Sequence, residues 1–196
     1  MDNIIPWIGI FAILIVFIVI FIIASRSFSK RAKLKKEFYA KAQRQRDNML
    51  KYRDADERTL AAAPAAELIE GLAAGVQDEL ADCAAPNAAF LKLPLWRRYA
   101  YAAYYFFSDT KIKLSGFFRN SADPLLSTAM ECLEKTGMTE YLSLIRSAYE
   151  MLDDNDDAVS VDEAKIAAWD AEYAKLDSAP LTESVKNVIL CAKNEK

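Results

Sequence analysis

A chain of 196 residues without one histidine has no Ser–His–Asp or Cys–His catalysis, no His-ligated zinc or haem, and no histidine pH switch. Its formal charge of −3 conceals a split: residues 1–58 hold 12 Lys+Arg against 6 Asp+Glu, a net of +6, whereas 59–196 hold 13 against 22, a net of −9. The three cysteines, Cys83, Cys132 and Cys191, make no CxxC pair and read as thiols of a reducing compartment.

The first element is Ile4–Ala24, twenty-one residues without a charge. At about 1.5 Å per residue such a helix is roughly 31 Å long, enough for a hydrocarbon core. Asp2 or Asn3 caps it, Pro6 falls in its first turn and Trp7 near the outer headgroups. The acidic N-terminal flank, and the lack of a small-residue cleavage site, predict an uncleaved anchor over residues 1–25. Gly9 stands alone, so no GxxxG pair marks a dimer face.

Arg26, Lys30, Arg31, Lys33, Lys35 and Lys36 follow at once. By the positive-inside rule they predict a single-pass protein of the cell membrane, N-terminus outside and C-terminal domain in the cytoplasm. Residues 26–58, without Gly or Pro, predict a helical stalk with a broken apolar stripe of Phe28, Ala32, Phe38, Ala42, Met49 and Tyr52. Either the six basic side chains contact anionic lipid headgroups, or the stalk is a solvated spacer whose charges only fix topology. Positive charge beside a membrane span has that explanation already, so direct nucleic-acid binding is not expected.

Residues 59–196 predict an acidic, compact all-α domain of about six helices. Thr59–Ala66 reads as a hinge, because Pro64 interrupts helix and alanines offer little to pack. Leu68, Ile69, Leu72, Val76 and Leu80 recur on one helix face that ends before Pro86. After a loop ending at Pro94 comes Leu95–Phe107, LWRRYAYAAYYFF, apolar nearly all round. Such a helix is either central to the core or covered by a partner. Asp123-Pro124 starts a helix with Leu125, Leu126, Ala129 and Leu133 inward and Gly137 at its end. Thr139 starts the next, burying Tyr141, Ile145, Ala148, Tyr149 and Leu152. Ser160 to Glu163 fits a capping box ahead of Ile166, Trp169, Tyr173 and Leu176, and a last helix buries Leu181, Val185, Val188, Ile189 and Ala192.

Asp153, Asp154, Asp156, Asp157, Asp162 and Glu163 form the densest acidic group and are the expected contact for a protein partner. A calcium loop starting at Asp153 fails, because position six is Ala158 instead of Gly and position twelve is Ala164 instead of Glu. No P-loop, dinucleotide fingerprint or activated nucleophile is present, so neither catalysis nor a cofactor is expected.

The stretch from Ser115 to Leu152 resembles the bacterial DNA-mimic-protein-like family, a domain of unassigned function. The likeness rests on Gly116, Phe117, Phe118, Asn120 and Ser121, then Ala129 and Leu133, Gly137, and Ala148 and Leu152. Downstream, Trp169 to Tyr173 is similar to the family's acidic element before its terminal helix. The whole covers about residues 91–193. Gly116, Phe117, Asn120 and Gly137 are implied to be structural. Leu114-Ser115 departs from the family's Asn-Gly turn before Gly116-Phe117. The resemblance implies an acidic surface that imitates DNA phosphates and occupies a basic DNA-binding protein. A plain solvated or partner-facing acidic surface is the other reading, and an enzyme acting on a membrane-proximal substrate a third.

Overall fold

Prolines set the helix starts of this domain. Pro64, Pro94 and Pro124 each stand just before a helix and Pro86 opens one, positions where a missing N–H loses no helical hydrogen bond. The computed structural model describes residues 33–152 and 162–195, and all regular structure within them is helical. The expected membrane helix Ile4–Ala24, together with Arg26, Lys30, Arg31, Asp153, Asp154, Asp156 and Asp157, lies outside the described residues. Among those described, no helix is long and apolar enough to cross a membrane.

The chain divides into two units, Met1–Arg44 and Gln45–Lys196. Helix α1 covers residues 33–53. Its stretch 33–44, in the first unit, is exposed throughout, with Leu34, Phe38 and Tyr39 each more than 60% accessible. The second unit carries the rest of α1 and then α2 (Glu57–Ala62), α3 (Ala65–Ala81), α4 (Pro86–Lys92), α5 (Leu95–Asp109), α6 (Leu114–Asn120), α7 (Leu125–Glu134), α8 (Thr139–Leu152), α9 (Glu163–Tyr173) and α10 (Ser178–Asn194).

All-α architecture was legible, but the count of about six helices was not: among the described residues, nine lie between Glu57 and Asn194. The additional ones, α2, α4 and α6, have only six or seven residues. Helices that short show no periodic stripe and hold only through tertiary contacts. The hinge expected at Thr59–Ala66 is instead packed structure. Asp56 caps α2, Leu60 and Ala63 are buried, and the buried Lys186 of α10 donates its Nζ to the Ala63 carbonyl at 2.8 Å and to Glu183 at 3.0 Å. Pro64 breaks the helix there without loosening the chain.

Helix α5 occupies the centre and packs against α3, α10, α7 and α6. Tyr99, Ala100, Ala102, Ala103 and Phe106 are buried, and the three alanines leave room for neighbouring helices. Phe106 meets Phe117 of α6 edge-on at 5.3 Å and Tyr173 of α9 at 6.4 Å. The expected inward face of α3 holds, with Leu68, Ile69, Leu72, Val76 and Leu80 buried, and that of α10 holds at Leu181, Val185, Ile189 and Ala192, whereas Val188 is only half-buried.

Met49 and Tyr52, read as stalk residues, belong to the second unit. Tyr52 is 1% exposed and donates its hydroxyl to Glu67 at 2.8 Å, on the oxygen that Lys51 also reaches at 2.6 Å. The approach is permitted by Gly71. A Cβ there stands 2.7 Å from both the Asn48 carbonyl oxygen and Tyr52 Cδ2. By contrast, a Cβ on Gly75 meets only Met49 Cγ, at 3.8 Å.

Gly71→Ala therefore lowers unfolding free energy by about 1–3 kcal/mol through overpacking. Gly75→Ala stabilises by roughly 0.5–1 kcal/mol because alanine is the better helix former. Urea denaturation of both variants checks the contrast. Burial pushes the phenols of Tyr99 and Tyr173 from 10.0 up to about 12. The fold thus favours their protonated forms, a contribution that is complete below pH 10.0 and lost as pH rises towards about 12. Phenolate absorbance and circular dichroism are expected to change together in that window.

Candidate partner-binding surface

The N-terminus of α9 carries the described part of the acidic group. Asp162, and not Ser160, is its cap: Oδ1 accepts from the backbone N–H groups of Ala164 and Lys165, both at 3.1 Å. Ser160 lies outside the described residues. Both carboxylate oxygens of Glu163 accept from Arg119 Nη2 at 2.7 Å, joining α9 to α6. These two acids have work inside the domain, the cap completing orphan amides and the ion pair tying two helices.

Of the residues carrying the family resemblance, Gly116, Phe117 and Gly137 stand where packing or backbone conformation restricts them. Asp170 caps α6 from a distance: the Ser115 N–H donates to its Oδ1 and the Ser115 hydroxyl to its Oδ2, each at 2.8 Å. Phe117 is fully buried, and a Cβ on Gly116 stands 3.2 Å from the Asp109 carbonyl oxygen, a close approach of two chain segments. Helix α7, expected to end at Gly137, ends at Glu134 with Lys135 as its cap, and Gly137 takes the left-handed φ of +67° in the turn that follows. Asn120 is exposed at the last position of α6. The departure at Leu114-Ser115 falls on this same cap, where Ser115 supplies both donors.

Among the described residues, six of the domain's cations pair with its own carboxylates. Arg97 pairs with Glu79 at 2.7 Å, Arg146 with Glu134 at 3.1 Å, Lys135 with Glu131 at 3.5 Å and Lys165 with Asp162 at 3.7 Å. Arg119 and Lys186 are engaged as described above. Since 22 acids face 13 cations over 59–196, the surplus negative charge is what remains towards solvent. Asp78, Asp82, Glu140, Glu150 and Glu172 are all exposed.

Sequence reading passed over the acids of α3, because they are spaced singly along a helix whose apolar face dominates the pattern. It also passed over the contacts of Glu131, which accepts from the Tyr99 hydroxyl while Lys135 lies 5.4 Å from that ring's centre. Lys33, Lys35 and Lys36 are exposed on α1, Lys33 at 3.9 Å from Glu37. Burial pushes the Cys132 thiol up to about 12, so it is an inert core group.

An acidic all-α domain with a scaffold built on Gly116, Phe117, Gly137 and Asp170 is the class that these features define. The model of the DMP19-like protein family matches residues 91–189, half of the chain, and the chain belongs to that family. No curated protein and no solved structure matches it.

Asp170→Ala removes both acceptors of the α6 cap and is expected to cost about 1–3 kcal/mol. Glu163→Gln weakens an exposed pair and costs less than about 1 kcal/mol. Thermal melts of the two variants side by side test this ordering.

Proposed function

We propose that the chain is a membrane-tethered interaction module whose acidic helical domain engages a basic protein. Its role is binding, without catalysis or cofactor. The observation that carries this reading is the excess of carboxylates over cations in residues 59–196, 22 against 13, with Asp78, Asp82, Glu140, Glu150 and Glu172 exposed. Asp153, Asp154, Asp156 and Asp157 are the expected contact, now without Asp162 and Glu163 as free members. Ile4–Ala24 serves as the anchor, with the domain in the cytoplasm. Leu34, Phe38 and Tyr39, exposed on a helix that also carries Lys33, Lys35 and Lys36, suit an anionic lipid surface, with Arg26, Lys30 and Arg31 beside them.

Family membership favours a narrower second reading, in which the basic partner is a DNA-binding protein and the carboxylates stand where DNA phosphates otherwise bind. Such a partner contributes Lys and Arg side chains that neutralise a phosphate backbone, so its release depends steeply on salt.

The full chain, solubilised in detergent and immobilised, is expected to retain a basic partner that salt releases. A variant with Asp153, Asp154, Asp156 and Asp157 changed to Lys is expected to retain none. Duplex DNA added to the captured complex separates the two readings: displacement supports mimicry, and indifference supports an adaptor. Retention equal in the charge-reversed variant overturns both.

A further inference from the structure

The structure carries a concave feature that the acidic-surface reading does not use. A cavity of about 350 Å³ opens between α3, α4, α5 and the start of α7. We propose that it receives the guanidinium group of an arginine from a basic partner protein. The proposal rests on the reading above and names the site at which one side chain of that partner is held.

Three aromatic rings form one side of the cavity. Phe90 lies 5.6 Å from Tyr101, and Tyr101 lies 4.9 Å from Tyr105, centre to centre. Aromatic faces attract a cation through their quadrupole, and a planar guanidinium stacks on them as an ammonium does not. The hydroxyls of Tyr101 and Tyr105 are 3.5 Å apart. Burial raises the Tyr101 phenol, so it remains neutral at ordinary pH. The two tyrosine hydroxyls, with the amide side chains of Gln77 and Asn87 among the lining residues, are groups able to accept from the five N–H groups of a guanidinium. Leu80 and Leu125 complete the lining with apolar surface, suited to the methylene stem of an arginine.

Charge around the opening has the complementary sign. Asp78 and Asp82 are exposed on the turns of α3 that also carry Gln77, Leu80 and Ala81. Asp123, likewise exposed, stands between the lining residues Ala122 and Pro124. Arg97, one turn before Tyr101 on α5, is held by Glu79 at 2.7 Å. A rim of carboxylates draws a basic segment in, and the rings then select arginine among its side chains.

The test is calorimetric titration of the full chain in detergent with blocked hexa-arginine, and with blocked hexalysine as comparison. Hexa-arginine is expected to bind about fivefold or more tightly than hexalysine, from stacking. Tyr105→Leu is expected to remove that preference and weaken hexa-arginine about five- to tenfold, while Tyr105→Phe, which keeps the ring, retains most of it. The double change Asp78→Asn with Asp82→Asn weakens both peptides about threefold, and Glu150→Gln with Glu172→Gln, away from the cavity, weakens them less. Circular dichroism of each variant verifies the fold. Equal affinity of both peptides, or unchanged preference in Tyr105→Leu, overturns the cavity while leaving the acidic surface standing. Binding of neither peptide overturns the cavity, and the surface reading then depends on the capture experiment alone.

Discussion

Helix α5 has to be covered on almost every side, and most of the domain is arranged to do so. A stretch reading LWRRYAYAAYYFF exposes far more apolar surface than one neighbour can bury, and each 100 Å² left in water costs about 2.5 kcal/mol. The solution is a ring of α3, α6, α7 and α10 around it. Ala100, Ala102 and Ala103 allow the helices to come close, while Tyr99 and Phe106 fill the volume between them. The same demand explains why polar edges of α5 are tied down with such economy. The Tyr99 hydroxyl finds Glu131, and the Thr110 hydroxyl returns to the Phe106 carbonyl at 2.8 Å.

Around this core, charge is organised in two tiers. One tier is structural: Glu67, Glu79, Glu131, Glu134, Glu163 and Glu183 each meet a Lys or Arg of their own unit. Individually these exposed or half-exposed pairs contribute little stability. Each pair cancels one positive and one negative charge, so the net excess of carboxylates over residues 59–196 is unchanged by it. The other tier is the set of exposed carboxylates, including Asp78 and Asp82, without a cation of the domain drawn over them by an ion pair. It is this excess on which the proposed binding of a basic partner rests, since opposite charge steers association.

The aromatic side of α5 connects the two themes. Rings turned towards α3 and α4 are not all needed to seal the core, and Tyr101 and Tyr105 remain half-buried at a cavity. A central helix with apolar character all round thus has one flank bordering a cavity while the others hold the fold.

Much of this protein was determined by its sequence alone. Helical class, the inward face of α3, the turn at Gly137 and the family likeness all depend on local periodicity, on a backbone angle or on short motifs, which a linear reading captures. Tertiary structure decided the rest. Tyr52 joins the domain because Gly71, 19 residues later, leaves space for it. Thr59–Ala66 is firm because Lys186 reaches back to the Ala63 carbonyl. Asp162 and Glu163 belong to the framework because of a helix end and of Arg119 on another helix. Except for the Asp162 cap, whose partners are local, the deciding partner is distant in sequence, and periodicity carries no information about which distant groups a fold brings within hydrogen-bond reach.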